Sequence, residues 1–248
     1  MRIGGIVEVS TVDWYGNVTF MVFAAGCNFR CQYCQNSSLL PMNSGQEASL
    51  DLIEERIKQN ILLVEALGVT GGEPTLQPEA LREVYALARR WKLRTLLDTN
   101  GSRPDVIESL LSEGLVDHVA LDIKAPLNPE DHRRVIGMKN CEEIVKSVAR
   151  SLEVCVEHGV SLEIRTTVVP GLSDGEEFIK DIARTIKGKY NLFFLQQFNP
   201  SGDILVPELK ARGFMSRERL LTLAQVALRE GLEEVYIKTQ ENGLEKVE

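Results

Sequence analysis

Apolar and polar positions follow two rhythms along this chain. Val18-Thr19-Phe20-Met21-Val22-Phe23 is a compact β-rich run, whereas Leu50, Ile53, Ile57 and Ile61 recur at helical spacing. From there the pattern repeats. Strand-like runs end near Gly71, Asp98, Lys124, Val169 and Phe198, each followed by a turn and then an amphipathic segment. Those segments predict helices over Ala80 to Trp91, Asp105 to Glu113, Cys141 to His158, Glu176 to Lys187 and Ser216 to Gly231. Ahead of them, Ile3 to Val12 reads as a strand or hairpin arm, Asp13-Trp14-Tyr15-Gly16-Asn17 carries turn chemistry, and Pro41 to Gly45 breaks the chain. A last strand, Glu234 to Lys238, precedes a polar tail expected to fray. Strands and helices that alternate in short units imply parallel strands joined by right-handed crossovers. Six or so units are too few for a closed eight-stranded barrel and predict an α/β fold, an open partial (β/α)6 barrel. With no composition shift or long linker, one domain over 1–248 is expected: a barrel core at about 18–200, then a C-terminal helix, strand and tail over 201–248.

Alternation within the strands sharpens this picture. In Ala120-Leu121-Asp122-Ile123-Lys124, a period of two puts Asp122 and Lys124 on one face and Leu121 and Ile123 on the other. The run from Leu162 to Val168 likewise sets Glu163, Arg165 and Thr167 against Leu162, Ile164 and Val168. Each polar face must look into a wet or ligand-filled lumen or be satisfied by internal ion pairs, because burying Asp, Lys or Arg alone is strongly unfavourable. A ligand carrying both an amino and a carboxylate group fits such a lining.

The candidate chemistry sits just after the first β-rich run. Cys27, Cys31 and Cys34 lie four and then three residues apart in the loop from Gly26 to Asn36. Thiolates hold iron-sulfur clusters, usually four per cubane, so three from one loop leave one iron without a protein ligand. A zinc site would need a fourth Cys or His at its usual spacing, and none of His118, His132 and His158 lies near this loop. Cys141 and Cys155 stand alone on a predicted helix and read as small core or surface residues.

Composition narrows the compartment and partners. Five cysteines, three of them clustered, suit a reducing cytosol better than a disulfide framework, so a cytoplasmic protein is expected. There is no run of about 18 apolar residues and no apolar block after Met1, so neither a membrane segment nor a signal peptide is expected. A net charge of -8 without a dense Lys/Arg block argues against a nucleic-acid partner.

Taken together, Cys27-x-x-x-Cys31-x-x-Cys34, with Tyr33 just before the third cysteine, and Gly71-Gly72-Glu73-Pro74 at the next strand end resemble the radical S-adenosylmethionine (SAM) superfamily. Leu97 to Gly101, Asp122 to Pro126, Glu163 to Val168 and Leu195 to Pro200 look like the later strand ends of glycyl-radical-enzyme activating enzymes. The likeness is strongest to the activating protein of the anaerobic ribonucleoside-triphosphate reductase and covers roughly 12–200. Asn199 stands where activating enzymes of the pyruvate formate-lyase type often carry a His.

The resemblance implies a partial barrel of the radical SAM type in which Cys27, Cys31 and Cys34 bind a 4Fe-4S cluster, with SAM on the open iron. It further implies that Tyr33 supports the adenine, and that Gly71, Gly72 and Glu73 meet the methionine amino group. Asp98, Asp122 and Lys124 would bind the polar end and ribose, with Arg165 adding positive charge. Some activating enzymes hold a monovalent cation through residues matching Asp98, Thr99 and Asp122. The implied chemistry is one-electron cleavage of SAM to a 5′-deoxyadenosyl radical, which takes a hydrogen atom from a glycine of a partner, the anaerobic ribonucleotide reductase. The electron would come from a donor such as flavodoxin or ferredoxin, with Phe29 and Arg30 facing donor, partner or the loop's own packing. Two other readings stand beside it: a small-molecule radical SAM enzyme like the 7-carboxy-7-deazaguanine synthases, and a non-catalytic iron-sulfur protein. An electron carrier would have no need of Gly71 to Pro74 or of Lys124.

Overall fold

The computed structural model describes residues 1–248 and contains one continuous ten-stranded sheet. Its strands are β1 (Arg2–Ser10), β2 (Thr19–Ala24), β3 (Gln46–Glu47), β4 (Ala66–Gly71), β5 (Arg94–Thr99), β6 (His118–Asp122), β7 (Ser161–Val168), β8 (Leu192–Gln197), β9 (Val235–Thr239) and β10 (Gly243–Lys246). The helices are α1 (Leu50–Asn60), α2 (Pro78–Arg90), α3 (Pro104–Ser112), α4 (Pro129–Ile136), α5 (Glu142–His158), α6 (Glu176–Ile186) and α7 (Arg217–Arg229). The spatial order is β10-β9-β8-β7-β6-β5-β4-β2-β1-β3. Every pairing from β2 through β9 is parallel, and β1, β3 and β10 are antiparallel additions at the two edges. Six strand-helix units followed by β9 make the expected open (β/α)6 barrel, whose two edges do not meet.

Period-two alternation sorts the strands' side chains between two environments. Phe20, Val22, Leu67, Val69, Leu97, Val119, Leu121, Ile164 and Leu195 face outward and join the large core beneath the helices. The inward set is different in kind. Met21, Ala66, Leu96 and Ala120 form a small separate cluster with Trp14, which closes the barrel floor. Trp14 stacks on His118 with ring centroids 4.9 Å apart, and the Arg94 guanidinium sits 5.2 Å above its ring. Turn chemistry at Asp13 to Asn17 thus places a large aromatic where the lumen would otherwise be open below.

Above this floor lies a buried polar layer. The Arg165 guanidinium donates to Glu163, to Asp98 Oδ2 at 3.0 Å and to the Asp13 carbonyl at 2.6 Å. Glu163 Oε2 faces His118 Nε2 at 3.4 Å. Burial pushes the Glu163 carboxyl up, but the Arg165 and His118 groups beside it outweigh that and hold it below the usual carboxylate range. Internal ion pairing therefore accounts for the lower half of the polar face.

Three elements differ from the sequence expectation. The polar tail does not fray: it forms β10, paired along β9 from Gly243↔Thr239 to Lys246↔Tyr236, with Val247 buried. An Asn-Gly turn and a cross-strand partner supply what its composition lacks. Helix α4 was not anticipated because few of its residues are apolar, although its Asn128 cap accepts from Asp131 N and Gly137 ends it in a left-handed conformation. Residues 46–47 add the short β3. No helix is long and apolar enough to cross a membrane. Both Cys141 and Cys155 are buried.

Replacing Trp14 with Ala removes a buried aromatic whose neighbours cannot close the gap. Stability should fall by about 3 kcal/mol, read as an earlier urea midpoint; an unchanged midpoint would show that the floor does not depend on this ring.

Candidate functional site

The cysteine loop is held from four sides by main-chain hydrogen bonds. Gly26 N and Cys27 N donate to the Leu39 and Leu40 carbonyls at 2.8 and 3.1 Å. Arg30 N and Gln32 N donate to the Ile136 and Val135 carbonyls at the end of α4, and Leu205 N and Val206 N donate to the Cys34 and Gln32 carbonyls. Glu73 N donates to the Gly26 carbonyl at 2.8 Å. Phe29 is buried, and the Arg30 guanidinium donates to the carbonyls of Cys27 and Phe29, both at 2.7 Å, so this pair packs and pins the loop.

Gly71 and Gly72 are required by the same closeness. A Cβ on Gly72 would stand 2.1 Å from the Gly26 carbonyl oxygen, and one on Gly71, whose φ is +110°, would stand 2.5 Å from the Ala24 carbonyl oxygen. The glycines let the end of β4 press against the start of the cysteine loop, backbone to backbone.

At the mouth of the barrel these elements enclose a cavity of about 120 Å³. Cys27, Cys31 and Cys34 line it together with Tyr33, Gly71, Gly72, Asp98, Thr99, Asp122 and Lys124. Ten of the twelve residues singled out in the sequence thus meet at one place. No three His, Cys, Asp or Glu side chains converge at the spacing of a single ion. Phe29, read above with Arg30, lines the cavity too, as do Thr70, Asn100, Asn36 and Leu40, which were not singled out. For Thr70 the signal existed, since it lies two residues before Gly72 on an inward-facing register.

Glu73 and Arg165 stand outside the cavity lining. Glu73 is fully buried and does not line the cavity. Its Oε1 accepts from Thr75 N at 3.1 Å, from Thr75 Oγ1 at 2.5 Å and from Thr99 Oγ1 at 2.7 Å, and its Oε2 accepts from Asn100 N at 2.8 Å. Arg165 lies one layer lower, behind Asp98, in the network already described. Asp98 and Thr99, named above with Asp122 for a monovalent cation, are likewise engaged. Asp98 Oδ2 accepts from Thr70 Oγ1 at 2.8 Å and from Arg165, while Thr99 donates to Glu73.

The electrostatics are those of a dry pocket. Burial pushes the Cys27 thiol up to about 11 and the Cys31 thiol up to about 12, and raises Cys34 as well. Phe29 N donates to Cys27 Sγ at 3.4 Å, and Asn100 Nδ2 reaches the same sulfur at 3.9 Å. Lys124 Nζ donates to Asp122 Oδ2 at 2.5 Å; burial disfavours its charge, yet Asp122 holds it well above the ordinary lysine value. The Tyr33 hydroxyl is buried with no hydrogen-bond partner. A buried hydroxyl without a partner marks a place where a ligand's polar atom belongs.

The family model described as the radical SAM superfamily matches residues 21–183 of the chain. A Methanocaldococcus jannaschii protein assigned as a glycyl-radical enzyme activating enzyme is 33% identical over 240 residues, covering 96% of this chain and 95% of that one. The pyruvate formate-lyase 1-activating enzyme of Escherichia coli is 34% identical over 202 residues, covering 75% of this chain and 78% of that one. Among solved structures, a radical SAM methyltransferase from Sphaerobacter thermophilus superposes with a TM-score of 0.72 at 16% identity, over 91% of this chain and 67% of that one, a likeness of fold.

Two substitutions test the site. After anaerobic reconstitution, Cys31→Ala should retain less than about a tenth of the wild-type iron; iron content equal to wild type would remove Cys31 from the ligand set. Gly72→Ala should displace the cysteine loop, lowering stability by about 1–3 kcal/mol and the reconstituted iron content with it, whereas full stability and full iron content would contradict the packing argument.

Proposed function

The chain belongs to the radical SAM superfamily and, within it, to the glycyl-radical-enzyme activating enzymes, and on that footing we propose that it installs a glycyl radical on an anaerobic ribonucleoside-triphosphate reductase. The single observation that carries the cofactor assignment is the cavity, where three thiols, an unpartnered buried tyrosine hydroxyl and an Asp-Lys pair meet at successive strand ends. That donor set fits a 4Fe-4S cluster with one iron left to SAM. When bound, the cluster and SAM supply one-electron cleavage of the sulfonium to methionine and a carbon-centred radical able to take a hydrogen atom.

The chain's own residues position and enclose. Cys27, Cys31 and Cys34 hold the cluster, and the buried surroundings of the loop keep water from it. Asp122 and Lys124 offer one acceptor and one donor on neighbouring positions, which match the hydroxyls and carboxylate of SAM. Tyr33 presents its ring and its free hydroxyl to the same ligand. Asp98 is held toward the cavity by Thr70 and Arg165, so Arg165 acts through it. Glu73 positions Thr99 and Asn100 through its carboxylate. No side chain need move a proton.

The reductase is preferred as the partner because the strand-end motifs from Leu97 to Pro200 follow that activating protein, and Asn199 departs from the pyruvate formate-lyase branch. A flavodoxin or ferredoxin in a reducing cytosol would supply the electron. Reconstituted protein, mixed anaerobically with SAM, a reductant and the host's anaerobic reductase, should release 5′-deoxyadenosine and methionine and give a glycyl radical doublet by electron paramagnetic resonance. Cleavage of SAM with no doublet would reassign the partner; no cleavage at all would sink the enzymatic reading.

A further inference from the structure

Cys27 differs from the other two cysteines in what surrounds its sulfur. Phe29 N donates to Cys27 Sγ at 3.4 Å, and Asn100 Nδ2, just beyond the end of β5, approaches the same atom at 3.9 Å. Asn100 is buried and lines the cysteine cavity, and it is the one side chain that donates to any of the three sulfurs.

The hydrogen bonds around this amide decide which of its ends faces the cysteine loop. Asn100 N donates to Glu73 Oε2 at 2.8 Å, which pins the main chain, and Asn100 Oδ1 accepts from Ser102 N at 2.9 Å. The Ser102 N–H cannot reverse, so turning the amide over would set one donor against another. Nδ2 is therefore the end turned to the loop. One of its protons goes to Asn28 Oδ1 at 3.1 Å, and the second is left for Cys27 Sγ. Asn28 is held in turn, its Nδ2 donating to Ser102 Oγ at 2.8 Å. Asn100, Ser102 and Asn28 thus close a ring that aims one N–H at one sulfur.

A neutral thiol is a weak acceptor, but a thiolate bound to iron is charged, and charge-assisted hydrogen bonds are shorter and roughly twice as strong. Adding one electron to a cluster, with no proton to offset it, raises the negative charge on its sulfurs. A donor aimed at a ligating sulfur then stabilises the reduced form more than the oxidised one, which is how such hydrogen bonds set cluster potentials. We propose that the Asn100 amide, acting through Cys27, raises the reduction potential of the cluster and so eases delivery of the electron that SAM cleavage requires. This deepens the cofactor assignment made above and rests on it. Asn100 is a positioning residue, neither a ligand of iron nor a proton carrier, and Glu73 supports it by holding its main chain.

The test is a redox titration of the reconstituted protein without SAM, read by electron paramagnetic resonance of the reduced cluster. Asn100→Leu keeps the size of the side chain and removes its donors. With iron content as in wild type, it should make reduction at least about threefold less favourable, a fall in midpoint of about 28 mV at 59 mV per tenfold for one electron. Asn28→Ala opens the same ring but leaves the Asn100 donor, and its midpoint should fall by less than half as much. A smaller shift in Asn100→Leu overturns the proposal, and so does a fall in Asn28→Ala of half that size or more, which would trace the effect to a loosened loop. A second measurement does not depend on the leucine variant taking up its cluster. Protein carrying Asn28→Ala and Asn36→Ala, with its asparagines labelled with nitrogen-15 at the side chain, should show a nitrogen-15 coupling to the reduced cluster by electron-nuclear double resonance; no coupling overturns the proposal. The two readings fail apart. A wild type that loads its cluster and cleaves SAM while the shift and the coupling are both absent refutes the role of Asn100 alone, whereas a wild type that takes up no cluster refutes the cofactor assignment and this proposal with it.

Discussion

The buried carboxylate of Glu73 is the point on which the mouth of this barrel depends. It has no cationic partner; four donors from Thr75, Thr99 and Asn100 satisfy it instead, while its own main-chain N–H is given to Gly26. Burial raises its carboxyl, and the hydrogen bonds oppose that shift. One side chain therefore ties the ends of β4 and β5 together, and its backbone ties both to the cysteine loop. Remove that tie and Asn100 loses its fixed place beside Asn28, at 3.1 Å, and beside Cys27. The glycines on either side of the tie have the same origin. They are small because two backbones meet there, a stricter demand than approach to a ligand, which can shift by a fraction of an ångström.

Much of this was legible beforehand, and the part that was not has a physical reason. Alternation placed Asp122 and Lys124 inward and Leu121 and Ile123 in the helix-facing core, because one face of a strand must be apolar wherever helices cover it. Spacing placed the three cysteines on one loop, and they line one cavity. What alternation cannot supply is depth. Arg165 and Asp122 are register partners on adjacent strands, yet Asp122 reaches the cavity and Arg165 reaches back to Glu163, Asp98 and the Asp13 carbonyl. The choice between ligand and neighbour depends on which partners lie within reach in three dimensions. Glu73 illustrates the same limit, since its partners Thr99 and Asn100 come from the next strand. Helix α4 and strand β10 were missed for another reason: both are polar, and their stability comes from caps, a turn and a neighbouring strand that apolar periodicity does not report.

The lumen divides into layers with separate tasks. Trp14, Met21, Leu96 and Ala120 close the floor with apolar contacts. In the layer above it the buried Arg165 charge is paired with Asp98 and Glu163. In the top layer the buried Tyr33 hydroxyl is without a partner, as are His118 Nε2 and Glu163 Oε2, 3.4 Å apart in the layer below. What distinguishes the top layer as a ligand site is that its unpartnered hydroxyl lies on a cavity lined by three thiols, whereas His118 and Glu163 face each other.

The thiols themselves argue for what that ligand must bring. Buried among Phe29, Leu40 and the strand ends, Cys27 and Cys31 hold their protons up to about 11 and 12, so at neutral pH the pocket by itself keeps them neutral. Lys124 lowers them somewhat, but its charge is largely answered by Asp122 2.5 Å away. Converting three such thiols to thiolates in a place with little water requires positive charge delivered at the sulfurs, which iron supplies and a neutral or anionic ligand does not. The donor from Phe29 N to Cys27 Sγ is already aimed to favour the ionised sulfur once that charge arrives. Burial thus serves two ends with one arrangement: it makes the empty loop indifferent to protons, and it makes the loaded loop inaccessible to the water that would otherwise compete for a reactive radical.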